Sequence, residues 1–148
     1  DYLIIDTPPG TGDVQLTLLQ KIPLKGIIIV TTPQEVAVSD TKKGIEMVKK
    51  LDVPLLGIIE NMSWFSSQNT DQKHYIFGKG GGEKLSQEYG IDLLSQLELI
   101  EVIDSKPLYN NDYMKQKFDK ISSQIREKIT DLDIESRKII PQINLPDD

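Results

Sequence analysis

The sequence predicts an α/β fold, a parallel sheet with helices packed on its faces. Three observations predict it. Apolar runs without polar alternation recur at residues 2–5, 26–31 and 54–59, the pattern of strands buried on both faces. Stretches of helical apolar spacing separate and follow them. Loops rich in Pro, Gly, Asp and Asn close the strands, and in such folds ligands bind at the carboxyl ends of the strands.

The elements follow in order. Residues 2–5 read as a strand that runs into Asp6-Thr7-Pro8-Pro9-Gly10-Thr11-Gly12-Asp13. Asp13 can cap a helix carrying Leu16, Leu19 and Gln20. Residues 26–31 are the second strand. Pro33 suits the first turn of a helix reaching about Leu51, with Val36, Val38, Ile45, Val48 and Leu51 as an imperfect stripe. Residues 54–59 form the third strand, and a polar loop spans 63–73. A short helix over 83–89 ends at Gly90, a suitable left-handed cap. Residues 91–97 read as a weaker fourth strand. The clearest helix covers 112–132, where Met114, Phe118, Ile121, Ile125 and Ile129 line one face. Residues 133–148 contain Pro141 and Pro146, end acidic, and read as an extended or disordered tail. That leaves 1–132 as the folded unit.

Composition excludes several classes. The 148 residues carry 17 Lys plus Arg against 23 Asp plus Glu, a net charge of −6, which does not suit a nucleic-acid binder. The apolar runs fall far short of the roughly 20 residues of a membrane span. There is no cysteine, so no disulfide framework points to secretion, and a cytoplasmic location is expected. Residue 1 is Asp, inside what reads as a strand, so the chain is expected to be a fragment, either cut from a longer protein or encoded by a shortened gene.

Three positions carry candidate chemistry. Asp6 ends a strand before a Pro/Gly turn, where a carboxylate can serve Mg²⁺ beside a nucleotide phosphate; Asp is also common there as a turn residue. Gly10 and Gly12 would shape the loop near that phosphate. Asn61 follows the third strand and offers one donor and one acceptor to a base, or simply makes a turn. Other features read as structural. Lys79-Gly80-Gly81-Gly82-Glu83-Lys84-Leu85 is not a phosphate loop: Glu83 is a carboxylate where glycine belongs, and Leu85 lacks a hydroxyl for Mg²⁺. His74 is the one histidine and builds no metal site. Trp64 and Phe65 read as core.

Four blocks together resemble the Mrp/ApbC family of MinD-like P-loop ATPases. They are residues 1–17 with Asp6-Thr7-Pro8-Pro9-Gly10-Thr11-Gly12, Thr31-Thr32-Pro33-Gln34-Glu35-Val36-Ala37 with Asp40-Thr41-Lys42-Lys43-Gly44-Ile45, Glu60-Asn61-Met62-Ser63, and Ile76-Phe77-Gly78. The resemblance runs in order to about residue 108. It implies the C-terminal part of a P-loop NTPase sheet, incomplete without its phosphate-loop strand. It implies ATP with Mg²⁺, Asp6 serving the metal and the attacking water, Gly10 and Gly12 in the switch loop, and Asn61 at adenine. It implies a homodimer that passes a [4Fe–4S] cluster to apoprotein acceptors, with no nucleic acid or membrane partner. Two departures stand out. No Gly-rich Lys-Ser/Thr loop occurs in these residues. The family's Cys-x-x-Cys is matched by Ser67 and Thr70, whose hydroxyls cannot replace thiolates for a soft cluster. A MinD/ParA-like dimerisation switch and a non-catalytic remnant remain as alternative readings.

Overall fold

The computed structural model describes residues 1–8, 12–66, 72–100 and 112–139, with side chains described as far as residue 133. In chain order the elements are α1 (Asp13–Lys21), β1 (Ile27–Thr31), α2 (Glu35–Lys50), β2 (Leu55–Glu60), β3 (Phe65–Ser66), β4 (Lys73–His74), α3 (Gly81–Tyr89), β5 (Leu93–Gln96) and α4 (Asp112–Ile139).

β-branched and aliphatic residues make β1 and β2, which suit a pleated, doubly covered surface. β1, β2 and β5 form a parallel sheet in the order β1-β2-β5. Ile29 lies beside Ile58, and Thr31 beside Glu60. Glu60 also lies beside Gln96. β3 and β4 make a small antiparallel ribbon, pairing Phe65 with His74.

Successive strand residues face opposite sides of the sheet, so Ile58 and Ile59 found two separate cores. Ile58 packs with Ile45 of α2, Leu85 of α3 and Ile91. Ile59 packs with Leu94, Leu97 and the α4 residues Met114 and Ile121. Helices thus cover both faces, the α/β layering that the apolar runs predict. Gly57 lets β5 approach: a Cβ there would stand 2.4 Å from Leu94 Cγ. Ile45 and Leu85 are fully buried. Cutting either to Ala is expected to cost about 2–5 kcal/mol, read as a lower urea midpoint at unchanged slope.

The structure departs from the sequence expectations in four places. Residues 2–5 form no strand: Tyr2, Leu3 and Ile4 are 64%, 87% and 88% exposed. The reason is pairing. β1 is the edge of the described sheet with Val30 exposed, and residues 2–5 do not pair with it; the phosphate-loop strand that the resemblance places between the two is not among the described residues, so the run has no neighbour to complete a ladder. α1 is capped by Gly12, without a side-chain bond, and Asp13 sits inside its first turn. Val36 and Phe118 lie exposed instead of completing their stripes. α4 continues to Ile139, through residues assigned to the tail, because no Gly or Pro interrupts the chain before Pro141. Residues 140–148 lie outside the described part. No described helix is long and apolar enough to cross a membrane.

Candidate functional site

Parallel pairing brings Thr31, Glu60 and Gln96 side by side at the carboxyl end of the sheet. Asn61 extends β2 by one step, its N–H donating to the Thr31 carbonyl at 2.7 Å. The half-buried Asn61 side chain then turns back: its Oδ1 accepts the Met62 N–H at 3.0 Å. Met62 takes a left-handed φ of 56°, uncommon for a residue with a side chain. A carbonyl oxygen has two lone pairs, so Oδ1 keeps one for a ligand while the amide NH₂ can donate. Beside it, Thr41 Oγ1 donates to Thr31 Oγ1 at 2.9 Å, fastening α2 to the end of β1.

Sequence reasoning missed Glu60. It is 1% exposed, yet it carries a carboxylate. Oε2 accepts the Gly82 N–H at 2.6 Å, and Oε1 accepts from Gln96 Nε2 at 3.0 Å. The first N–H groups of a helix lack internal partners, and Gly80 gives α3 no side-chain cap, so Glu60 caps it from the strand. This explains the glycine run. A Cβ on Gly81 would stand 2.9 Å from Pro33 Cα, and one on Gly82 would stand 2.9 Å from Glu60 Cβ. The Gly82 N–H that could meet a phosphate already meets a carboxylate. The available signal was an acidic residue ending an apolar strand in a chain that also holds a glycine run.

A cleft of about 220 Å³ opens between the N-terminal turns of α2 and α3, lined by Pro33, Glu35, Val38, Ser39, Lys42, Gly81 and Lys84. Lys42 donates to both Glu88 oxygens, at 2.8 and 2.6 Å. That hydrogen bond raises the pKa of the ammonium. A raised lysine pKa means that the pair's contribution is present at neutral pH and is lost only in strongly alkaline solution.

The predicted residues are not all brought together. Asp6 is exposed, in the segment ahead of α1, and its carboxylate has no hydrogen bond or ion pair among the described residues. Gly12 caps α1. Gln15 donates to the Pro8 carbonyl, tying the segment after Asp6 to α1. Asn61 lies at the end of the sheet. Gly10, Ser67 and Thr70 lie outside the described residues. His74 is exposed on β4, while Trp64 is buried, its ring 3.7 Å from the Lys73 ammonium and its Nε1 donating to Glu98 at 2.8 Å.

The donor set discriminates between metals. No cluster of three or more His, Asp or Glu residues that could hold a metal exists among the described residues. A single exposed carboxylate such as Asp6 still fits Mg²⁺, which keeps waters and takes its remaining ligands from phosphates. An iron–sulfur cargo does not fit, because the chain has no thiolate.

A family model described as ParA, NUBPL iron-transfer P-loop NTPase, matches residues 1–132. Proteins named iron-sulfur cluster carrier protein are similar. The one from Escherichia coli K12 is 54% identical over 99 residues, covering 67% of this chain and 27% of its own length. The one from Methanocaldococcus jannaschii is 56% identical over 100 residues, covering 67% and 34%. The one from Pseudomonas fragi is 52% identical over 99 residues, again 67% and 34%. The chain thus matches about a third or less of these curated relatives. Among solved structures, a nucleotide-binding protein from Archaeoglobus fulgidus in complex with ADP, with cobalt found, superposes with a TM-score of 0.60 at 35% identity. That superposition covers 79% of this chain and 44% of that one.

Proposed function

Because this chain belongs to the ParA-type NUBPL iron-transfer P-loop NTPase family, we propose that it supplies the base-reading and water-positioning parts of an ATP site in a cluster-carrier ATPase. One observation carries the reading. The turn at the carboxyl end of the sheet holds the Asn61 amide with a donor and an acceptor available, on the side of an α/β sheet where ligands bind. Asn pairs with adenine, which offers a donor and an acceptor on one edge, and mismatches guanine, which offers two acceptors there. Asp6 would hold Mg²⁺ and orient the attacking water. The metal supplies neutralisation of phosphate charge when bound. The resemblance gives Gly10 and Gly12 to the switch loop that would serve those phosphates. The phosphate loop itself comes from outside these 148 residues, and the full-length protein works as a cytoplasmic homodimer.

The curated relatives are named for an iron–sulfur cargo, which the full-length protein would pass to apoprotein acceptors only with thiolates that this chain does not carry. That same absence favours a second reading, an ATP-driven dimerisation switch without cargo.

Calorimetric titration tests the ATP site. The full-length protein is expected to bind ATP at least roughly 100-fold more tightly than the isolated 148-residue chain, because charge-assisted phosphate contacts worth about 1.5–3 kcal/mol each come from the missing loop. Equal, tight binding by the isolated chain would place the phosphate site within these residues and refute the division of labour.

A further inference from the structure

We propose that Glu60 is the positioning residue of the base-reading Asn61, an inference that rests on the adenine reading above. The two are neighbours on the chain, one buried and one at the lip of the site. Three elements converge on Glu60. Its carboxylate ties the first turn of α3, through Gly82, to β5, through Gln96. Its carbonyl accepts the Leu97 N–H at 2.8 Å and Ser63 Oγ at 3.0 Å. The next amide, Asn61 N–H, donates to Thr31. The peptide plane between Glu60 and Asn61 is therefore held at both ends, by β1 on one side and β5 on the other.

The chemistry of the choice is informative. Positions 58 and 59 are isoleucine, and a third apolar residue would fill the same space without a carboxylate to desolvate. A buried carboxylate is retained at lowest cost where every oxygen is matched, as both are here. What it secures is the seat of α3 and Gln96 against the end of β2, and through Gln96 the neighbouring Leu97 N–H that holds the Glu60–Asn61 peptide and the turn after it. Met62 stands at a left-handed φ, and a backbone released from its anchor relaxes toward the ordinary β or α regions. That would swing the Asn61 amide. Two-point reading of a base edge depends on the angle of the amide, whereas phosphate contacts made elsewhere do not. Loosening Glu60 should therefore damage base discrimination more than overall nucleotide affinity.

The experiment is calorimetric titration of ADP and of GDP into the full-length protein and its variants, each checked for cooperative melting. Glu60→Leu removes both acceptors and is expected to cut the preference for ADP over GDP about tenfold, the size of one good two-point base contact. Glu60→Gln should keep the preference within about twofold, because its amide oxygen still accepts from Gly82 and the Gln96 amide can turn to match it. Gln96→Ala removes one partner at a half-buried position and should lower the preference about threefold. Asn61→Ala reports on the underlying reading and should erase the preference. If Asn61→Ala erases it while Glu60→Leu and Gln96→Ala leave it intact, the positioning role is refuted and the adenine reading stands. If Asn61→Ala also leaves it intact, both fall together. A loss in Glu60→Gln as large as in Glu60→Leu would assign the effect to charge and overturn the positioning role. Should Glu60→Leu fail to fold, Gln96→Ala decides: a preserved preference overturns the proposal.

Discussion

Asp6→Asn in the full-length protein is expected to slow ATP hydrolysis by roughly 100-fold or more, the usual scale for losing a group that orients the nucleophile or its proton transfer. ATP affinity should change only a few-fold. The amide keeps the shape of the carboxylate and loses the charge that Mg²⁺ needs, while the base contact at Asn61 is untouched. Stability should also hold. The Asp6 side chain is exposed and makes no hydrogen bond or ion pair among the described residues, and such surface substitutions usually move stability by less than about 0.5 kcal/mol. Single-turnover phosphate release, set beside a melting curve, separates the outcomes. Unchanged hydrolysis would remove Asp6 from the site. Lost hydrolysis with a lowered melting temperature would assign it a role in folding.

The second large effect concerns the cargo. Anaerobic reconstitution of the unmodified chain with iron and sulfide should yield no stoichiometric cluster, because hydroxyl and carboxylate oxygens are hard ligands and the chain offers no soft one. The double variant Ser67→Cys with Thr70→Cys restores the Cys-x-x-Cys spacing of the resembled family. Two such chains would supply four thiolates, so the variant is expected to gain about one cluster per two chains. Iron and sulfide assays with the absorbance near the visible edge read both. A stable brown unmodified protein with matched iron and sulfide would show that the cluster is held without thiolates from this chain, and would refute the account.

How much of this was legible in the sequence depends on whether a residue's partner is near in sequence or far. β1, α2, β2 and α3 follow local patterns, and their predicted spans fall within about two residues of the observed ones. The Gly90 cap is local too, and its left-handed backbone is as expected. Residues 2–5 fail because an apolar run becomes a strand only where a neighbour completes its ladder, and that neighbour is not written in the run itself. Glu60 was overlooked for the same reason. Nothing local says that a glutamate at a strand end will meet the N-terminus of a helix 22 residues later. The rejected phosphate loop shows the converse. Glu83 and Leu85 excluded it from the sequence alone, and the contact between Gly82 and Glu60 supplies the physical purpose of the glycines.

Whether the turn after β2 reads an adenine base is answered at the Asn61 amide. The most direct measurement is nuclear magnetic resonance of the full-length protein with labelled asparagine, following the Asn61 side-chain NH₂ as ADP is added. With adenine read by Asn61, this resonance is expected to move saturably, in step with binding, and to move much less with GDP. An Asn61 NH₂ that stays in place while ADP saturates the protein would contradict it.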